Sequence, residues 1–136
     1  MAFNIYVRRK INEGINMLEA KIKEWLSKIT EEGNLPDKCK AIYIGLFENA
    51  EKRYMIHFLG SVDFDDADDD WACEDDDDYY PKNRYLDSDI STQTNWEEFQ
   101  KEVVDIIKLI RSKKDTILST VEHIGVGFNS GKLENI

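Results

Sequence analysis

Residues 41–60 read AIYIGLFENAEKRYMIHFLG, and this stretch decides the fold. Two runs rich in Ile, Tyr, Phe and Leu, at 41–48 and 53–60, flank the polar quartet Asn49, Ala50, Glu51 and Lys52. β-branched and aromatic runs of this length separated by a short polar loop predict an antiparallel hairpin. Side chains alternate between the two faces of a strand. Ile42, Ile44 and Leu46 therefore share one face and Tyr43 and Phe47 the other. In the second strand Tyr54, Ile56 and Phe58 alternate with Met55, His57 and Leu59. Both faces are apolar, which predicts a sheet covered on both sides.

Upstream, Val7, Ile11, Ile15, Leu18, Ile22, Trp25 and Ile29 recur at steps of three and four, with Arg, Lys, Glu and Asn between them. That pattern predicts one long amphipathic helix over about residues 4–31, stopped by Gly33 and Asn34 and barred from continuing by Pro36. Downstream, Arg84, Tyr85 and Leu86 suit a short strand. Asn95 then offers a helix cap with Glu98 at the capping-box position, and Phe99, Val103, Ile106, Ile107 and Ile110 form the buried stripe of a second helix. A further helical turn is expected within 114–121. EHIGVGF and KLENI around Asn129, Ser130 and Gly131 predict a closing hairpin, with Gly131 in the left-handed turn position. The expected order is α-β-β-(β)-α-β-β: a single α+β domain over 1–136, with an antiparallel sheet of four to five strands against two main helices and an acidic loop at 63–80.

The chain has 136 residues and a formal charge of −10, and the placing of that charge says more than its size. Residues 63–78, DFDDADDDWACEDDDD, hold eleven acidic and no basic side chains, so the rest of the chain is close to neutral. Phosphate-bearing partners would be repelled, which argues against nucleic acid and anionic membrane. The longest mostly apolar stretch, residues 41–47, is far short of the ~20 residues a membrane helix needs. The first residues show no apolar core of a secretion signal, so a cytoplasmic location is expected. Cys39 and Cys73 form neither a CxxC pair nor a zinc spacing, and reduced thiols are expected.

The acidic segment supports three readings. As a metal site, Asp66, Asp68 and Asp70 match the first three ligand positions of a calcium loop. The sixth position is Trp71 where that loop needs glycine, and the twelfth is Asp77 in place of glutamate. A divalent-cation-binding module is thus the alternative. As a solvated loop, so many like charges would repel and stay unpacked. Against that reading stand the embedded aromatics Phe64, Trp71, Tyr79 and Tyr80. Aromatic anchors among charges favour a partner-binding surface. The candidate residues are Asp68, Asp69, Asp70, Trp71, Glu74, Asp75, Asp76, Asp77, Asp78, Tyr79 and Tyr80.

Catalysis finds little in the sequence. It has no Gly-rich phosphate loop, no GxSxG and no HExxH, and no cofactor motif. His57 and His123 read as ordinary strand residues. Cys73 lies among aspartates, which disfavour a thiolate. The expectation is a binding protein and not an enzyme.

Asp70-Trp71-Ala72-Cys73, Asn83-Arg84-Tyr85, Trp96-Glu97-Glu98-Phe99 and Gly125-Val126-Gly127-Phe128-Asn129-Ser130-Gly131 together resemble a group of small bacterial proteins. Members of that group occur beside polymorphic toxins and are regarded as immunity proteins. The resemblance covers about residues 41–136, and the aspartate run around Trp71 is longer here than in that pattern. It implies a cytoplasmic antitoxin that neutralises a cognate toxin domain. If that toxin is a nuclease with a basic cleft, an anionic patch can take the place of the phosphate backbone and steer association.

Overall fold

A computed structural model describes residues 2–65, 67–73, 77–129 and 131–136, with side chains described from residue 17 onward. Helix α1 spans Ala2–Glu31. Leu18, Ile22, Trp25, Leu26 and Ile29 of its stripe are buried; the side chains of Val7, Ile11 and Ile15 lie outside the described part. Gly33, with φ of 134°, turns the chain away after the helix. The Glu32 carboxylate then accepts the backbone N–H groups of Lys82 and Asn83, and the Trp25 indole N–H donates to the Asn83 carbonyl. These bonds tie the end of α1 to the loop before the third strand.

Strands β1 (Ala41–Glu48) and β2 (Arg53–Ser61) pair antiparallel from Ala41 opposite Ser61 to Glu48 opposite Tyr54. The quartet between them turns as its polar residues require. Asn49 Oδ1 accepts from the backbone of Glu51 and Arg53, and Lys52 takes a left-handed φ of 59°. Strand β3 (Tyr85–Ser91) adds to the outer edge of β2. Helix α2 (Trp96–Ser112) follows, with the Asn95 side chain accepting the N–H groups of Glu97 and Glu98. A 3-10 turn at Ile117–Thr120 supplies the further helical turn. Strands β4 (His123–Phe128) and β5 (Glu134–Asn135) form the closing hairpin.

The element order is the expected one, but the sheet is mixed and not antiparallel throughout. Its strand order is β3-β2-β1-β4-β5, and β4 runs parallel to β1, from Ala41 beside His123 to Leu46 beside Phe128. Connection length gives the reason. A hairpin reverses direction within a few residues, whereas β3 and β4 are joined by a whole helix, which returns the chain to the end from which it left. The left-handed position expected of Gly131 depends on its link to Ser130 and so falls outside what is described. The Gly131 N–H bonds the Phe128 carbonyl at 2.9 Å and closes the turn between the last two strands. Ser130 lies outside the described residues.

Both helices pack on one face of the sheet. Ile42, Ile44, Leu46, Tyr54, Ile56, Phe58, Ile124 and Val126 meet Ile22, Trp25, Ile29, Phe99, Val103 and Ile107 there. Tyr54 stacks on Phe99 at 4.4 Å between centroids. The opposite face carries a smaller buried cluster of Ala41, Tyr43, Leu59, Trp71 and Leu133. Its cover is the acidic segment itself.

Candidate functional site

An acidic chain can be held on a sheet only where apolar side chains offset the cost of gathering the charges. Here Trp71 does so. It is 5% exposed, packs on the second cluster, and lies 5.3 Å from Phe64 between ring centroids. Phe64 in turn stacks on His123 at 3.7 Å and 5°. The sheet makes room by omitting side chains: a Cβ on Gly125 would come within 2.9 Å of the Trp71 ring and 2.7 Å of Leu133. The indole N–H of Trp71 is buried and donates to no acceptor among the described residues.

Polar contacts close both ends of the excursion. Ser61 Oγ bonds the carbonyls of Asp63 and Trp71, Asp78 accepts from the Val62 N–H, and Gly60 and Tyr79 exchange backbone bonds of 2.9 and 2.8 Å. The segment leaves β2 at Ser61 and returns to it at Tyr79. Between them a 3-10 turn spans Asp69–Ala72, with Asp68 as its cap through a 2.9 Å bond to the Asp70 N–H. Asp69 Oδ2 accepts the Leu133 N–H at 3.1 Å, clamping this turn to the closing hairpin.

The structure thus divides the sequence-predicted residues into two sets. Asp68, Asp69, Asp70 and Asp77 are exposed, as are Asp63 and Asp65. Trp71 and Asp78 are buried, Tyr79 packs against the helix-side core, and Tyr80 packs against the second cluster with the Arg84 guanidinium 5.6 Å from its ring. Trp71 therefore serves as an anchor to the protein's own sheet. Glu74, Asp75 and Asp76 lie outside the described residues, as does Asp66 of the calcium-loop pattern. Among the described residues, no three His, Cys, Asp or Glu side chains gather as a group that holds a metal ion.

Between the 3-10 turn and the closing hairpin lies a cavity of about 470 Å³, lined by Tyr43, His57, Asp69, Asp70, Ala72, Cys73, Phe128, Asn129, Gly131 and Leu133. Sequence reasoning missed Tyr43, His57 and Asn129, which meet there. Asn129 Oδ1 accepts from the Tyr43 hydroxyl at 2.9 Å and lies 3.0 Å from His57 Nε2. Tyr43 also donates to the Gly127 carbonyl. Burial, with the nearby Cys73 thiol adding to it, pushes the Tyr43 phenol above its ordinary range, so it stays protonated. The floor is thus buried and internally bonded, while the rim carries carboxylates. The one sequence signal for this hollow is the run of glycines on a single face, Gly45, Gly125 and Gly127, which register places side by side.

No family model, curated protein or solved structure matches this chain. Among the described residues, no helix is long and apolar enough to cross a membrane.

Proposed function

We propose that this chain is an immunity-type inhibitor that binds and neutralises a cognate toxin domain in the cytoplasm, with its acidic segment facing a basic, nuclease-like surface. The observation that carries the proposal is the division within residues 63–78: the tryptophan is buried while Asp63, Asp65, Asp68, Asp69, Asp70 and Asp77 are exposed. A charge run that merely kept the protein soluble would have no need of an internal anchor. A binding surface benefits from one, because a rim already ordered loses less conformational freedom on association.

The described ion pairs support the same reading. They join Lys21 to Asp89, Lys23 to Glu19, Lys28 to Glu24 and Arg53 to Asp87. Asp63, Asp65, Asp68, Asp69 and Asp70 have no cationic partner among the described residues. A field left uncancelled can steer a basic partner, with on-rates up to ~10⁸–10⁹ M⁻¹s⁻¹ at low salt. The short motifs resembling bacterial immunity proteins add the direction: a toxin as the basic partner.

Stopped-flow association with a purified basic nuclease toxin domain as the candidate cognate partner tests the proposal. Replacing Asp63, Asp65, Asp68 and Asp70 with Asn is expected to lower the on-rate by about tenfold or more and to flatten its salt dependence. An unchanged on-rate and salt slope would remove the acidic segment from the interface.

A further inference from the structure

We infer that the cavity between the acidic segment and the closing hairpin receives an arginine side chain of the partner. This inference rests on the acidic-face reading above and names what enters it. At about 470 Å³ the cavity falls within the ~300–1,000 Å³ typical of small-ligand pockets. Among the described residues no lysine or arginine lines it, and its rim carries Asp69 and Asp70. The Asp70 carboxylate accepts no hydrogen bond among the described residues, and Asp69 commits only Oδ2, to the Leu133 N–H. Both retain acceptor capacity towards the hollow. The rim is also fixed: Asp69 is clamped to the hairpin, and the next residue but one, Trp71, is anchored in the second cluster.

The floor selects the kind of cation. Tyr43 and His57 are 4% and 7% exposed, and both bond to Asn129 Oδ1. An ammonium ion is strongly hydrated and would lose its water against that buried floor, where the Tyr43 hydroxyl and Asn129 Oδ1 already bond each other. A guanidinium is planar and more weakly hydrated, and it presents a fork of donors to a carboxylate while laying its face along aromatic side chains. Aromatic floor and carboxylate rim together favour arginine over lysine.

The probe is N-acetyl-L-arginine N-methylamide, added to the full chain and followed by two-dimensional amide NMR, with the citrulline counterpart as its uncharged isostere and decalysine as a probe of the open acidic face. The expected result is saturable shifts at Tyr43, His57 and Asn129 with arginine, none with citrulline, and about tenfold weaker binding in Asp70→Asn. Cys73 is exposed, so Cys73→Trp is expected to plug the mouth and abolish the shifts with the fold retained. Equal binding of citrulline overturns the inference, because the pocket would then read shape without charge. Decalysine binding that weakens with salt, with no arginine shifts at the cavity, also overturns it but leaves the acidic-face reading standing. If neither probe binds, both fail.

Discussion

Gly45 faces His57 across the β1–β2 ladder, and a Cβ on Gly45 would lie 1.8 Å from the imidazole Nε2. That nitrogen sits 3.0 Å from Asn129 Oδ1, so the missing methyl is the space in which the sheet and the closing turn are joined. The ring is further boxed by Tyr43 and Phe47, with centroids at 5.3 and 5.8 Å. Gly45→Ala must therefore expel the imidazole and leave Asn129 without it. The expected cost is about 1–3 kcal/mol, as for overpacked cores. Urea unfolding checks this; a midpoint equal to that of the wild type would mean that the ring relocates freely.

Trp71 gives a second prediction, because its two substitutions separate packing from polarity. Trp71→Ala empties the second cluster and is expected to cost about 3–5 kcal/mol. It should also free the segment from the sheet, which raises proteolytic cleavage within 63–78. Trp71→Phe keeps most of the ring and removes a buried N–H that has no described acceptor. An unsatisfied buried donor costs about 1–3 kcal/mol, so this change is expected to destabilise far less than the alanine. Limited proteolysis and thermal unfolding of the pair decide it; equal losses would show that the indole N–H is bonded after all.

Local patterns were legible in the sequence and directions were not. The stripe from Leu18 to Ile29, the hairpin with its Asn49 turn and the Asn95 cap all depend on residues within a few positions of each other. The parallel pairing of β4 with β1 depends on how α2 returns the chain, which periodicity does not encode. The acidic segment was partly legible. Its charge and its aromatics could be read, but whether Trp71 faced a partner or the protein's own sheet turned on Gly125, which lies in a distant strand and leaves the space the indole fills. The meeting of Tyr43, His57 and Asn129 was illegible for the same reason: it joins the middles of two strands to the residue just past the end of a third through tertiary contact alone.

The Arg53–Asp87 pair predicts a pH response. Arg53 Nε bonds both carboxylate oxygens of Asp87, at 3.1 and 2.9 Å. The Arg53 hydrogen bond, outweighing partial burial, holds the Asp87 carboxyl below its ordinary range. A carboxyl with a folded pKa lower than its unfolded one stabilises the fold above the unfolded value, near 3.9. That contribution drains away as pH falls from there through the folded value. Thermal unfolding between roughly neutral pH and pH 2–3 is expected to show a steeper acid loss in the wild type than in Asp87→Asn. The effect is modest, since both side chains are about a third exposed or more. Parallel acid profiles for the two proteins would assign the pair no role.

If the acidic face is kept for binding, it should be kept at a cost in stability, and salt should reveal that cost. Asp63 and Asp70 are exposed, and their carboxylates accept no hydrogen bond among the described residues. Their replacement by Asn therefore removes repulsion and little else. Each substitution is expected to raise stability by a few tenths of a kcal/mol at low ionic strength, the scale of surface charge effects. Screening lengths fall from about 30 Å at 0.01 M salt to about 3 Å at 1 M, so the gain should vanish as salt is added while the wild type itself becomes more stable. The same two substitutions are expected to slow association with a basic partner, because the field that opposes folding is the field that attracts it. Unfolding midpoints across a salt series, measured beside on-rates for the same variants, test the opposition directly. Variants that lose stability at low salt would mean that these carboxylates hold the segment together, and that its charge is architecture before it is a binding surface.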